Sequence, residues 1–207
     1  MSMRVISWEE YINMGTGETP LAVTIGVFDG VHRGHQSLIQ RICTVSSPAP
    51  QSPVPSPYSL LPTVVTFKQN PQRILMPDRF AGDIINLEQK LRVLEFFGVQ
   101  LTVLIDFSEE FSKISGRDFI DLLLGCRPVK LIAMGRNFRC GHDLDTGAEE
   151  IQHLAEKRGL EVWAMPPVMD EGQPVSSSRI RQVLAAGRQE EAERLMGWPK
   201  ELIKLGE

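Results

Sequence analysis

Short runs in which almost every residue is apolar alternate along this chain with longer stretches of helical period. The runs Leu21–Ile25, Thr63–Phe67, Leu101–Ile105, Lys130–Met134 and Glu161–Ala164 are rich in β-branched and aliphatic residues. Their lack of polar alternation is that of strands covered on both faces. Between and after them, Gly34–Val45, Leu87–Phe97, Gly116–Leu124, Ala148–Lys157, Ser177–Ala186 and Gln189–Met196 place apolar residues three and four apart, which predicts amphipathic helices. Gly187 and Gly197 follow the last two helices in the C-cap position. This alternation predicts an α/β fold, a doubly wound parallel sheet of five strands.

Residues 46–62, SSPAPQSPVPSPYSLLP, break the pattern with six prolines in seventeen residues. Proline removes the donors and backbone freedom that regular structure needs, so an exposed loop is expected between the first helix and second strand.

Composition narrows the classes. A chain of 207 residues suits one substantial domain, and 42% hydrophobic with 23% charged residues is the balance of a soluble globular protein. A net charge of −4 provides no global field for a polyanion, so no nucleic-acid partner is expected. Cys43, Cys126 and Cys140 are odd in number and lack CxxC spacing, which suits a reducing cytoplasm better than a disulfide framework or zinc site. The N-terminus carries Glu9 and Glu10 where a signal peptide needs an apolar run, and no window is apolar enough for a membrane helix. No membrane partner is expected.

The candidate chemistry lies in Gly26–His35, GVFDGVHRGH, between the strand LAVTI and a helix with Leu38, Ile39 and Ile42 on one face. A strand-to-helix junction at the carboxyl end of a parallel strand offers helix N–H groups to phosphate. Gly26, Gly30 and Gly34 suit a tight turn and close approach of a ligand. His32 and His35 flank Gly34 as H-x-G-H and aim two imidazole donors at one anion. Such donors can stabilise charge that develops during displacement at an α-phosphorus, with no covalent step. Asp29 orders the turn or a bound ion. Near the C-terminus, Ser176–Ser178 cap a helix that carries Arg179 and Arg181. Ser177, Ser178 and Arg181 are expected on the triphosphate, with Arg179 on a different helical face. Asn137 and Phe138 follow a strand end, again at the ligand-binding edge.

The stretch resembles the signature of the H-x-G-H nucleotidyltransferase superfamily, and its FDGVHRGH form is similar to that of bacterial FAD synthetases, the adenylyltransferase module of bifunctional riboflavin kinase/FMN adenylyltransferases. TVVTFKQNP resembles that family's VVTFxPHP, GRNFRCG its G-x-N-F-x-F-G, VSSSRIR its I-S-S-T-R-I-R, and AERLMGWP its A-x-x-L-L-G-R-P, in the same order over about residues 20 to 199. The resemblance implies a Rossmann-like nucleotidyltransferase fold over residues 1–199, with a tail at 200–207 and no riboflavin kinase domain. It implies transfer of AMP from ATP to FMN, giving FAD and pyrophosphate, with Mg2+ on the phosphates. His32, His35 and Arg181 are then catalytic. Gly26, Phe28, Asp29, Gly30, Gly34, Gly135, Asn137, Ser177 and Ser178 join them in binding ATP, and Phe67, Asn70, Pro71, Asn137 and Phe138 hold the flavin; metal ligands are unassigned. Lys68–Gln69–Asn70–Pro71 stands where the family reads Glu-Pro-His-Pro, and Cys140 where it has a second Phe. Both departures bear on the flavin. Another phosphorylated acceptor, as in a cytidylyltransferase, and a flavin- or nucleotide-binding protein without turnover remain the alternatives.

Overall fold

Each of the residues Leu21–Ile25 and Leu101–Ile105 is buried, and each run is a strand. In the computed structural model, which describes residues 2–15, 17, 19–46, 60–199 and 202, both are inner strands of one parallel sheet. The elements in order are β1 (Arg4–Ser7), α1 (Trp8–Asn13), β2 (Leu21–Ile25), α2 (Arg33–Ser46), β3 (Leu61–Phe67), α3 (Gln72–Leu75), α4 (Leu87–Phe96), β4 (Leu101–Ile105), α5 (Gly116–Cys126), β5 (Val129–Gly135), β6 (Arg139–Cys140), β7 (Thr146–Gly147), α6 (Ala148–Glu156), β8 (Glu161–Met165), β9 (Met169–Asp170), β10 (Gln173–Pro174), α7 (Ser177–Ala185) and α8 (Gln189–Met196).

The main sheet runs β1-β4-β3-β2-β5-β8 with every neighbouring pair parallel. It has six strands rather than five. The extra strand, Arg4–Ser7, pairs with β4 at the edge, and its outer position leaves Arg4 and Val5 exposed and only Ile6 buried, so it carries no continuous apolar run. Ser7 then caps α1 in a capping box with Glu10, which turns Trp8 and Tyr11 back onto the sheet.

Alternate residues along each strand face opposite cores. Leu21, Val23 and Ile25 join Trp8, Tyr11 and residues of α5 and α6 on one side, whereas Ala22 and Val64 join the apolar stripes of α2 and α4 on the other. A third cluster is formed by α7 and α8 with Val175. The proline-rich segment is shorter than its sequence limits suggest. Ser46 ends α2, Leu60 is buried, and Leu61 and Pro62 belong to β3; residues 47–59 lie outside the described residues.

The chain leaves β2 toward β3 on one side, while β5 and β8 lie on the other. The carboxyl ends of β2 and β5 therefore bound the point where the strand order reverses. A doubly wound sheet opens its ligand crevice there.

Candidate functional site

The loop from β2 into α2 is strained. Phe28 at φ 53° and Val31 at φ 34° stand in the left-handed region beside Gly30 at φ 80°, a conformation costly for a β-branched residue. Neighbouring elements impose it. The Val27 carbonyl accepts from Thr66 Oγ1 at 3.0 Å and Lys90 Nζ at 3.3 Å. Asp29 Oδ1 accepts from the Ile84 amide at 2.9 Å, its Oδ2 pairs with the Arg181 guanidinium, and its carbonyl accepts from Ser177 Oγ at 2.8 Å. Trp198 Nε1 donates to the Gly30 carbonyl at 3.1 Å, and Gln36 Nε2 donates to those of Val31 at 2.8 Å and Met196 at 2.6 Å. Side chains from β3, α4, α7 and the end of α8 thus fix one loop.

That loop delivers the two histidines. His32 is buried at 6% exposure and stacks on the partly buried His35 with centroids 3.7 Å apart and planes 16° apart. Phe28 also packs on His35, with centroids 4.9 Å apart and planes tilted by 54°. The intervening glycine keeps the packing close, because a Cβ on Gly34 would lie 3.1 Å from His32 Cε1 and push on that ring. His32 Nδ1 accepts the His35 amide at 3.4 Å, so Nε2 carries the hydrogen of the neutral ring. Burial pulls the His32 pKa down to about 4. His35 is held well below the usual histidine range by burial, by His32 and by the Lys90 charge. Its Nδ1 is buried without a hydrogen-bond partner among the described residues. The pair is thus two neutral imidazoles at the start of a fourteen-residue helix.

Both rings line a cleft of about 170 Å³ together with Gly34, Gly135, Asn137 and Phe138. Its far wall is Met165–Val168 after β8 and Val175 before α7. Gly135 has open space where a Cβ would stand. Gly26 turns beneath Phe28, whose ring lies 3.2 Å from a Cβ built there.

The C-terminal helix start divides its groups. Ser176, rather than Ser177 or Ser178, caps α7 by accepting the Arg179 amide at 3.2 Å. Ser177 is committed to Asp29, and Arg181 is oriented by Asp29 and by the Gly82 carbonyl at 3.0 Å. Arg179 points elsewhere, to Asp170 at 3.1 Å and Glu191 at 3.2 Å. Asp170 also accepts from Arg33 at 2.9 Å and forms an ion pair with Arg194 at 3.3 Å. One carboxylate on the β9–β10 hairpin thereby ties together α2, α7 and α8.

The five residues expected around the flavin fall into two groups. Asn137 and Phe138 line the cleft, while Phe67, Asn70 and Pro71 stand at the end of β3. Phe67 meets Phe107 edge-on at 5.6 Å, and buried Asn70 reaches Asp29 at 3.5 Å and accepts the Gln72 amide at 3.1 Å. The unusual Lys68 and Gln69 have anchors of their own, Asp106 at 2.9 Å and the Phe107 carbonyl at 3.2 Å. Cys140 packs against the main core, where burial pushes its thiol up to about 12. Among the described residues no group of three or more His, Cys, Asp and Glu side chains could hold a metal ion.

Sequence reasoning missed Lys90, Gln36, Trp198 and Asp170. Lys90 carried a readable signal, a charge spaced three residues from Leu87 and from Val93 on the apolar stripe of α4. Gln36 directly follows the loop, and Trp198 and Asp170 gain their roles only by tertiary contacts.

The sequence model of the FAD synthetase family matches residues 16–179. The chain belongs to the FAD synthetase family. It is 30% identical over 178 residues to the bifunctional riboflavin kinase/FMN adenylyltransferase of Escherichia coli (strain K12), covering 86% of this chain and 54% of that protein. With the protein of the same name from Pseudomonas fluorescens it shares 32% identity over 177 residues, 85% of this chain and 54% of that one. The chain thus spans about half the length of these curated relatives. A solved structure from Streptococcus pneumoniae, described as a macrolide-efflux protein, superposes with a TM-score of 0.79 at 30% identity, covering 95% of this chain and 62% of that one. That description applies to that protein. In this FAD synthetase family member no helix among the described residues is long and apolar enough to cross a membrane.

Proposed function

We propose that this chain is an FMN adenylyltransferase, joining the AMP part of ATP to FMN. The observation that carries the reading is the stacked pair of neutral histidines at the N-terminus of α2, opening into a cleft at the sheet's switch point. A phosphate oxygen of FMN attacks the α-phosphorus of ATP. As that P–O bond forms, the bond to the bridging oxygen of the β-phosphate breaks and pyrophosphate leaves with the electron pair. The Nε2–H of His32 and the imidazole of His35 donate to the oxygens that gain charge, an electrostatic contribution that needs no proton transfer. Gly26, Phe28, Asp29 and Gly30 shape the loop under the nucleotide, with Gly34 and Gly135 giving access. Ser177, Ser178 and Arg181 hold the outgoing phosphates. Asn137 and Phe138 border the nucleotide and flavin, with Phe67, Asn70 and Pro71 on the flavin's far side. Magnesium enters on the nucleotide as MgATP, its ligands drawn mainly from phosphate oxygens. Residues 1–199 form the adenylyltransferase unit. The free Cys43, Cys126 and Cys140 support placing it in a reducing cytoplasm, and the net charge of −4 supports small-molecule partners over nucleic acid.

An acceptor panel tests this reading. Protein, ATP and magnesium are mixed with FMN, riboflavin or phosphorylated non-flavin acceptors, and pyrophosphate release is followed. Release with FMN alone is expected. Release with another acceptor but not FMN redirects the assignment to a different transferase, and tight FMN binding without release defeats the catalytic reading.

A further inference from the structure

We propose that Lys90 is a positioning residue for this adenylyl transfer: its ammonium, clasped by the carbonyls of Val27 and Phe67, fixes the histidine-bearing loop and places a positive charge behind His35 at neutral pH. The inference rests on the FMN adenylyltransferase reading.

Lys90 projects from α4 into the region beneath the loop and is only 6% exposed. Its Nζ donates to Phe67 O at 2.8 Å and Val27 O at 3.3 Å, joining the carboxyl ends of the two central strands. Among the described residues it has no ion-pair partner. The acids that face it are spent on other cations: Asp29 of the loop pairs with Arg181 of α7, and Asp83 pairs with Arg73 of α3 at 3.0 Å. On the α2 side stands His35, which feels the Lys90 charge, with His32 behind it. Burying an ammonium against two carbonyls with no counter-ion of its own is unfavourable. A methionine would fill a similar volume. The surplus charge instead lies at the strand ends where the polyanionic nucleotide is proposed to bind, and it disfavours a second positive charge on His35.

Burial brings the Lys90 pKa down to about 8, against the pull of Asp29 and Asp83. The ammonium is therefore present at neutral pH and lost in moderate alkali, which gives the role a measurable signature. Wild type, Lys90→Gln and Lys90→Arg are compared after thermal melts establish folding. In wild type kcat is expected to fall as pH rises through about 8. Lys90→Arg, always charged, keeps kcat on that side; Lys90→Gln, which retains a donor without charge, loses kcat about tenfold or more with little change in KM. Independently of turnover, the His35 imidazole followed by NMR titrates higher in Lys90→Gln than in wild type. Wild-type kcat in Lys90→Gln, an alkaline limb unmoved in Lys90→Arg, or an unmoved His35 titration overturns the proposal. If Arg does not fit the slot, the Gln variant decides alone. Absence of FAD formation by wild type strikes the adenylyltransferase reading, and the His35 titration still tests Lys90.

Discussion

Burial leaves His32 and His35 as neutral rings, and this has consequences for both stability and turnover. The folded-state pKa of His32 is about 4, against 6.5 for the free side chain. A depressed pKa favours folding where the ring is neutral in both states. The contribution is therefore present above pH 6.5 and is lost progressively as pH falls toward 4. The loss approaches on the order of 3 kcal/mol. Calorimetric melts at neutral pH and near pH 4 in wild type and His32→Gln check this, because the variant's melting temperature should fall less. For catalysis, His35→Ala should reduce turnover about a hundredfold or more with the fold intact, the size of losing one transition-state donor. Steady-state kinetics beside circular dichroism decide it. Near-wild-type turnover would remove His35 from the mechanism.

Two connecting elements keep the cleft in shape, and each rests on a specific contact. The Asn137–Phe138 loop continues into Gly141, which sits at φ 86° with space for a Cβ only 1.9 Å from the Gly116 nitrogen. Asp145 Oδ1 seals the same junction by accepting the Gly116 amide at 2.9 Å. Gly141→Ala should therefore cost about 2 kcal/mol or more, a loss that chemical denaturation measures. On the opposite wall, Asp170 holds the β9–β10 hairpin to Arg33, Arg179 and Arg194. Asp170→Asn removes that shared charge and should raise KM for ATP more than it lowers kcat, with weaker salt dependence than wild type; unchanged KM contradicts the hairpin's role in shaping the cleft. The six longer helices and the buried strands were legible because their apolar spacing has one physical cause, whereas the short α1 and α3 have too few turns to show a period. The glycine-rich loop and H-x-G-H pair were legible because phosphate chemistry restricts residue type. The hairpin's role was not, since Asp170 gains meaning only when the fold brings Arg33 of the remote α2 beside Arg179 and Arg194.

Across the whole molecule, the order β1-β4-β3-β2-β5-β8 brings the ends of β2, β5 and β8 around one crevice and leaves the end of β3 beside it. Edge strand β1 escaped detection because an edge needs few apolar residues, whereas the place of Lys90 on the apolar stripe of α4 was readable but its carbonyl partners on β3 and the β2 loop were not. The division of the residues proposed for the flavin between the cleft and the β3 end likewise depends on strand order. The central claim is that the crevice directs an acceptor phosphate to the α-phosphorus of ATP. ATP labelled with radioactive phosphorus at the α-position tests it most directly when incubated with FMN and magnesium. The label should appear in FAD, one equivalent for each unlabelled pyrophosphate released; label recovered as free AMP, or retained in ATP while FMN stays bound, would contradict the account.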